Sequence, residues 1–425
     1  MISIHYFREN VGKIKKNLEK RNDFAKLDWV EEICDLDGKY LKALQEAENL
    51  RMKRNSLAKE IDALIVQKKD FKDKIAEAKE LPQKIKEVEA KANELKEKID
   101  YYLMRLPNVL DEGVPLGSDE TENVVVKEFG EKKLNQSLLP HGELLEKNNW
   151  ADFESASNVS GPGFYYLKFE FAELALALER FALDKILSKG YSLVLVPFML
   201  KRSAYERVTD LEDFENVMYK VDQEDLYLIA TSEHSMCAMY QDHIFEESDL
   251  PLKLVSVSPC FRREIGKHGV DTRGIFRVHQ FNKVEQFIFC RPEQSFELHE
   301  ELLANAEEIY KDLGLAYRVV NICAGDIGTV AAKKYDIEAW MPREGKYREV
   351  VSCSNCTSYQ AVRSNIKFRK KLDKSKDYVH TLNSTAVAIT RTLRAIVETY
   401  YDGNVLKVPS VLQKYLGGRQ EISPK

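Results

Sequence analysis

The stretch that decides the fold is PCFRREIGKHGVDTRGIFRVHQFNKVEQFIF, residues 259–289. Strand-like residues on either side of a charged, glycine-containing segment predict two long strands, 252–264 and 276–289. About eleven residues join them, a short connection that favours antiparallel pairing. We therefore expect an α+β domain on an antiparallel sheet rather than a doubly wound parallel sheet.

The predicted hairpin presents chemically distinct side chains to one side. Alternate residues of a strand share a face, so Arg262 and Glu264 point the same way. Phe281 and Glu285 likewise share a face of the second strand, about 13 Å apart. A guanidinium suits phosphate or carboxylate recognition, and a phenylalanine suits stacking on a base. The alternative is a charged, solvent-facing hairpin with one core phenylalanine.

Further strands and helices alternate around this hairpin. Strands are predicted at 192–200, 226–230, 317–322 and 347–359, and helices at 171–188, 233–241, 293–313 and 385–400. In the last helix, Arg391 lies off the apolar face, and Asn383 or Ser384 is a candidate cap.

The N-terminal region has a heptad pattern instead. Two apolar series with alternating spacings of three and four predict an antiparallel helical hairpin, its first arm running from Leu27 to Val66, about 60 Å long. Pro82 is expected to kink or start the return helix. A dimerisation coiled coil is the alternative. The first series is Tyr40, Ala43, Ala47, Leu50, Arg54, Leu57, Ile61 and Leu64, and the second is Ala78, Leu81, Ile85, Val88, Ala92, Leu95, Ile99 and Tyr102.

Composition separates the same two regions of the 425-residue chain. The net charge of −5 combines a net of +3 over residues 1–105 with −8 over the remainder. Whole-chain acidity therefore does not argue against a nucleic-acid partner, since contact with phosphates is local to basic faces. We predict an N-terminal helical hairpin at 1–106, a linker at 107–123 and an α+β domain at 124–425.

Other features narrow the location and cofactors. The longest apolar runs are too short to span a membrane, the N-terminus lacks a secretory signal, and seven cysteines indicate a reducing cytoplasm. The chain has no GxxxxGK[ST] loop and no GxGxxG after a strand. Cys353 and Cys356 form a CxxC without a second pair, so we expect no zinc.

The motifs of the chain resemble those of class II aminoacyl-tRNA synthetases, most fully the seryl-tRNA synthetase family. The resemblance covers nearly the whole chain, with the N-terminal hairpin similar to that family's tRNA-binding arm. It rests on RLPNV at 105–109, VPLGSDETEN at 114–123, KGYSLVLVPFML at 189–200, TSEH at 231–234, FRRE at 261–264, HQFNKVE at 279–285, EVVSCSNCTSYQAVR at 349–363 and LNSTAVAITR at 382–391.

This resemblance implies ATP-dependent activation of serine as seryl-adenylate and its transfer to tRNA(Ser), with tRNA(Sec) as a possible second substrate. It implies a cytoplasmic homodimer with the Pro197 segment at the interface, and Mg²⁺ with ATP, held by Glu349 and Ser352. The implied catalytic residues are Arg262, Glu349 and Arg391. The implied serine-binding residues are Thr231, Glu233, Arg262, Glu285, Asn383 and Thr385. The implied ATP-binding residues are Arg262, Arg263, Glu264, Val278, Phe281, Glu349, Val350, Val351, Ser352 and Arg391.

Several residues also admit structural roles, and the sequence departs from the family pattern at several positions. Thr231 is a candidate helix cap, with Glu233 in the first turn, and His268 and His279 are expected to be structural. Val351 replaces a usual serine, and Ser384 replaces a usual glycine and is expected to narrow the pocket entrance. Two other functions stay open: a non-catalytic RNA-binding or scaffold protein derived from a synthetase, and a class II synthetase for another amino acid, such as threonine.

Overall fold

The computed structural model describes residues 1–211, 215–264 and 274–425. These form two compact units, one of Ile2–Leu106 and one of Met1 with Pro107–Lys425. Most of the loop inside residues 259–289, including His268, lies outside the described residues. None of the helices within the described ranges is both long and apolar enough to cross a membrane.

The N-terminal unit is built on two long helices. Short helices α1 (Ile4–Glu9) and α2 (Val11–Lys20) precede α3 (Leu27–Val66) and α4 (Lys72–Arg105). The first arm therefore has the predicted bounds. Helix α4 begins ten residues before Pro82, which lies inside the helix rather than starting it.

The heptad pattern predicts the residues that lie between α3 and α4, with the exception of Arg54. Ala43, Ala47 and Leu57 are buried against a seam that includes Leu81 and Ile85, whereas Arg54 remains exposed. Ion pairs cross between the helices from Arg51 to Glu89 and from Glu60 to Lys74. Because the later residue of α3 pairs with the earlier residue of α4, the helices are antiparallel, as expected of a helical hairpin.

The second unit contains an eight-stranded sheet. The strands are β1 (Val124–Phe129), β2 (Ser192–Leu193), β3 (Leu252–Phe261), β4 (Gln280–Cys290), β5 (Tyr317–Asn321), β6 (Lys333–Met341), β7 (Lys346–Asn355) and β8 (His380–Ala388). In spatial order they are β1-β5-β6-β7-β8-β4-β3-β2, and all neighbours are antiparallel except β2 and β3. The expectation of an antiparallel α+β fold is thus confirmed.

Helices cover one face of this sheet. Phe169–Ser188, Ser295–Asp312 and Ile389–Tyr400 bury their apolar sides against sheet residues such as Val284 and Val351. Shorter helices of this unit span His141–Lys147, Phe153–Ser160, Arg202–Glu206, Ser232–Ala238, Tyr359–Ser364 and Ser410–Gln413. Short strands span Ala151–Asp152, Tyr166–Leu167, Met199–Lys201, Leu226–Leu228, Ile244–Glu246, Lys367–Arg369, Lys376–Tyr378, Leu406–Lys407 and Glu421–Ile422.

Two β-bulges decide which side chains reach the opposite face. One lies opposite Ile337 and Glu338, where the register skips Val350, and the other skips Ala386 in β8. An extra residue inverts the alternation of side chains beyond it. Glu349 and Ser352, three residues apart, therefore face the same side, which an unbroken strand would not permit.

Several predicted elements differ from the structure. The predicted helix 385–400 begins only at Ile389, because residues 380–388 pair with both neighbouring strands as β8. Asn383 and Ser384 therefore lie within a strand and do not cap the helix. The predicted strand 192–200 is split around Pro197, and β4 begins at Gln280 rather than 276. In the segment 107–123, Leu110 and Val114 are buried against sheet residues including Val320.

Candidate active site

The face of the sheet opposite the three long helices carries a polar cleft of about 350 Å³. Side chains from β4, β6, β7 and β8 line its floor, and Arg262 follows the end of β3. The lining residues are Thr231, Glu233, His234, Arg262, Phe281, Lys283, Glu285, Lys334, Glu349, Val350, Ser352, Asn383, Thr385, Ala388 and Arg391.

At one side of the cleft, a guanidinium lies over an aromatic ring. The Arg262 guanidinium carbon is 5.4 Å from the centroid of the Phe281 ring. The Arg262 backbone N–H donates to the His279 carbonyl at 3.0 Å, which continues the β3–β4 pairing. Its side chain donates to the Ala230 carbonyl at 3.4 Å. These contacts hold a cation beside an aromatic face, as the spacing of the hairpin predicted.

A second arginine enters the cleft from the helix Ile389–Tyr400. Arg391 Nη1 lies 3.3 Å from Glu349 Oε2 and 3.1 Å from the Glu349 backbone oxygen. Desolvation raises the pKa of the Glu349 carboxyl, but Arg391, Lys334 and Arg262 outweigh that effect and hold the pKa below its usual value. The cleft thus combines an ionised carboxylate with two guanidinium groups.

Oxygen donors cluster next to Glu349. Asp336 on β6 is directly opposite Ser352 on β7, and the Lys334 ammonium lies 3.5 Å from Asp336 Oδ2. Asp336 Oδ1 is buried and has no hydrogen-bond partner among the described residues. Burial raises the pKa of the Asp336 carboxyl to about 7, against the opposing effect of Lys334. Carboxylate and hydroxyl oxygens are suitable ligands for Mg²⁺.

The deepest part of the cleft holds a buried ion pair. Lys283 Nζ lies 2.6 Å from Glu285 Oε2 and donates to Thr231 Oγ1 at 2.9 Å. Thr385, opposite Glu285 in the sheet, donates to Glu285 Oε2 at 3.3 Å. Lys283, Glu285 and Thr231 are each at least nine-tenths buried.

Glu233 is the second carboxylate at this end of the cleft. It lies in the first turn of helix Ser232–Ala238, whose N-cap is Thr231, as predicted. Its Oε1 accepts a hydrogen bond of 2.8 Å from the Gln360 side-chain amide. Burial, assisted by the Glu285 carboxylate, raises the pKa of Glu233 to about 7.

Most predicted site residues meet in this cleft, and four do not line it. Val351 is 1% exposed in the core beneath the sheet, so a valine in place of serine removes no hydroxyl from the cleft. Val278 is buried, Arg263 is exposed, and Glu264 forms an ion pair of 2.7 Å with Arg277. Ser384 is also buried and absent from the lining, so it does not narrow the entrance as expected.

Sequence reasoning missed four of the lining residues. Lys283 could have been predicted, since residues 281, 283 and 285 of one strand share a face. Lys334 was not, because β6 was not predicted. Ala388 reaches the cleft only through the bulge at Ala386. His234, at the base of the cleft, carries no pattern of its own; burial lowers its pKa to about 3, so it is neutral.

Neither the cysteines of the CxxC nor His279 line the cleft. Cys353 and Cys356 are buried, and burial raises the pKa of both thiols. The His279 ring stacks on Phe164 at 5.3 Å, and its Nδ1 hydrogen-bonds to the Tyr219 hydroxyl.

The antiparallel sheet and its cleft define a class II aminoacyl-tRNA synthetase core. Residues 219–400 match the family model of the tRNA synthetase class II core domain (G, H, P, S and T), and residues 1–110 match the seryl-tRNA synthetase N-terminal domain. The chain is 57% identical to the serine–tRNA ligase of Methanocorpusculum labreanum, over 99% of this chain and all of that one.

Solved structures agree with these matches. The seryl-tRNA synthetase of Pyrococcus horikoshii, crystallised with ATP, is 47% identical with a TM-score of 0.95, and the alignment covers both chains fully. The cytoplasmic serine–tRNA ligase of Naegleria fowleri, in complex with AMP, is 32% identical with a TM-score of 0.90, covering 100% of this chain and 99% of that one. The chain belongs to the seryl-tRNA synthetase family, which confirms the resemblance drawn from its motifs.

Proposed function

We propose that this chain activates serine with ATP to form seryl-adenylate and then transfers the seryl group to tRNA(Ser). One observation carries the proposal. A pocket with two carboxylates and a threonine hydroxyl opens into the same cleft as two arginines, Arg262 and Arg391. An amino acid and a triphosphate would therefore meet on one face of the sheet.

In the first step, a carboxylate oxygen of serine attacks the α-phosphorus of ATP. The new bond joins that oxygen to phosphorus, while the α–β phosphoanhydride bond breaks and pyrophosphate leaves. Arg262 would contact both the serine carboxylate and the α-phosphate, and Arg391 the γ-phosphate end. Such chemistry depends mainly on positioning and charge stabilisation, so it needs no protein nucleophile.

The nucleoside end would lie against Phe281. Its ring packs with Arg262 and lines the cleft, where it would stack on adenine. Glu264 would accept from the adenine amino group, and the Val278 backbone would contact the base. Arg263, Val350 and Val351 belong to the segments that would surround the nucleotide.

The Mg²⁺ that accompanies ATP would be held by Glu349 and Ser352. The oxygen atoms of these two side chains fit this ion. These two side chains offer hard oxygen atoms, and the bulge brings them to one face. When bound, the ion offsets phosphate charge. Glu349 pairs with Arg391, so its carboxylate stays ionised even without a metal ion.

Serine would be recognised by three groups of contacts. Glu233 would pair with its ammonium, Glu285 and Thr385 would bond its hydroxyl, and Thr231 with Asn383 would complete the pocket. Loss of hydrogen bonds to buried polar groups penalises alanine strongly. Exclusion of threonine depends on the size of the pocket, which discriminates less for one methyl group.

In the second step, the terminal ribose hydroxyl of tRNA attacks the seryl carbonyl and AMP leaves. Residues 1–106 would form the tRNA-binding arm, followed by the linker 107–123 and the catalytic domain 124–425. Charging of tRNA(Sec) is part of the proposal as a second activity. The enzyme would act in the cytoplasm, where translation consumes seryl-tRNA.

A homodimer with the segment 189–200 at the interface completes the proposal. Leu195 in that segment is 81% exposed, and Leu193, Phe198 and Met199 are each more than 40% exposed. Clustered exposed apolar side chains are typical of an interface between subunits.

Serine-dependent ATP–pyrophosphate exchange tests the activation step. Exchange with serine supports the proposal when formation of seryl-tRNA from tRNA(Ser) accompanies it. Exchange that is faster with threonine would point to another amino acid. No exchange with any amino acid would indicate a non-catalytic protein derived from a synthetase.

A further inference from the structure

The buried lysine of the amino-acid pocket has no role in the function proposed above. Lys283 is 6% exposed and lies between two proposed serine-binding residues, Glu285 and Thr231. A buried ammonium is costly unless paired, so its placement requires a partner of opposite charge. Its position beside a substrate that also carries an ammonium needs an explanation.

The two carboxylates of the pocket differ in their partners. Glu285 has a lysine at 2.6 Å and a threonine hydroxyl at 3.3 Å. Glu233 accepts from the neutral Gln360 amide, and no lysine or arginine ion pair reaches it within residues 1–211, 215–264 and 274–425. The charge of Glu285 is thus already neutralised by Lys283, whereas Glu233 is free to pair with a cation of the ligand.

Thr231 is oriented by the same lysine. Its hydroxyl oxygen accepts from Lys283 Nζ at 2.9 Å and from the Glu233 backbone N–H at 3.2 Å. A hydroxyl offers two lone pairs and one hydrogen. With both lone pairs engaged, the hydrogen is left to donate to an acceptor in the cleft that Thr231 lines.

We propose that Lys283 is a positioning residue that assigns the two carboxylates different tasks. By neutralising Glu285, it leaves that carboxylate to accept the neutral hydroxyl of the substrate and directs the substrate ammonium to Glu233. The inference rests on the proposed serine activation and goes beyond it, since it explains why a pocket with two carboxylates selects one ammonium and one hydroxyl.

The charge balance of the pocket supports this division. Burial raises the pKa of Glu285, and Lys283 is foremost among the groups that oppose the rise, ahead of Thr385 and Arg262. Without Lys283, the buried carboxylate would take a proton or a cation from the ligand. The pocket would then prefer an amino acid with a second ammonium in its side chain.

The test compares serine with 2,3-diaminopropionate, in which an ammonium replaces the side-chain hydroxyl. Full-length wild type, K283M and K283Q are assayed by serine-dependent ATP–pyrophosphate exchange, with the analogue as a competitor. K185M is the matched control, because Lys185 forms ion pairs with Asp312 and Glu308, and none of the three residues lines the cleft.

We expect K283M to raise the KM for serine about ten- to a hundredfold, the effect of losing a charge-assisted contact. The KM for ATP stays unchanged. The ratio of the inhibition constant of 2,3-diaminopropionate to the serine KM falls at least about tenfold. A purely structural role would lower the thermal midpoint without moving this ratio.

Two results would overturn the inference. One is an unchanged ratio in a folded K283M or K283Q enzyme, and K283Q decides if K283M does not fold. The other is the same ratio shift when K283M is introduced into E285Q, where no carboxylate needs neutralising. If wild type does not respond to serine at all, the proposed function fails instead, so the two failures are distinguishable.

Discussion

Arg391 forms a two-point contact with Glu349, through its carboxylate at 3.3 Å and its backbone oxygen at 3.1 Å. The helix Ile389–Tyr400 and β7 are thereby joined at the edge of the cleft. The helix buries Ile389, Leu393 and Ile396, and Arg391 lies off that apolar face, as its phase predicts. Its guanidinium is therefore held in place before any phosphate arrives.

R391A should lower kcat of ATP–pyrophosphate exchange about 10²- to 10³-fold, the loss typical of one preorganised charge-stabilising group. The thermal midpoint should change little, because the Arg391–Glu349 pair lies at the margin of the cleft. R419A is the control, since Arg419 pairs with Glu173 on the exposed surface. Equal activity of R391A and R419A would contradict a role for Arg391 in the cleft.

F281A should raise the KM for ATP about five- to a hundredfold, the contribution of stacking a base on an aromatic side chain. F281Y should retain most of the affinity, because it keeps the ring. The measurement is exchange at saturating serine with ATP varied. A KM for ATP that is unchanged in F281A would place the adenine elsewhere, and F296A, on an exposed ring, serves as the control.

The kcat/KM for serine should rise with pH up to about 7 and level off above it. Burial and the Glu285 carboxylate raise the pKa of Glu233 to about 7, and only the ionised form pairs with the serine ammonium. Lys283 and Arg262 also face this carboxyl and oppose the rise. E233Q should lower the value and abolish the dependence, and an unchanged profile in E233Q would assign it to another group.

Deletion of residues 28–105 should spare adenylate formation and abolish tRNA charging. The long helices pack mainly on each other along a continuous seam, and α3 is joined to the residues before it by packing on α2 and by the Arg8–Asp37 ion pair. Pyrophosphate exchange and seryl-tRNA formation are measured on the same preparation. Equal loss of both activities would refute a tRNA-specific role for the arm.

R394M should destabilise the protein by about 3–5 kcal/mol, because it leaves the buried Glu398 carboxylate without its cation, whereas Glu344 keeps its ion pair with Arg348. Arg394 is 2% exposed, and its Nε lies 2.8 Å from Glu398 Oε1, with Glu344 as a second partner. R180M, which removes an exposed pair with Asp184, should cost less than about 1 kcal/mol. Thermal unfolding at one protein concentration compares them, and similar midpoints would exclude the buried network as a stabilising element.

How far the sequence predicts the structure depends on how local the signal is. The first arm has the predicted bounds, because a heptad pattern repeats the apolar positions that pack on the partner helix over many turns. Residues 385–388 of β8 are predicted as the start of a helix, since LNSTAVA has no clear period and its strand conformation depends on pairing with β4 and β7. Long-range pairing overrides weak local preference.

The same distinction applies to the candidate site. Phe281 and Glu285 were placed on one face by simple alternation, and both line the cleft. Lys334 and Asp336 were not predicted, because the strand that carries them was not predicted. The bulges that turn Glu349 and Ala388 toward the cleft cannot be predicted from any periodicity of the sequence.

By itself, the sequence determined the class of fold, the helical hairpin, the family and the residue types of the cleft. These follow from periodicity and from motifs that are contiguous in the chain. Only the tertiary structure decided that Lys283 neutralises Glu285, that Glu233 is left to Gln360, and that Val351 faces the core. Those relationships depend on burial and on distances between strands remote in sequence, and electrostatic contacts in a buried pocket are set by such distances.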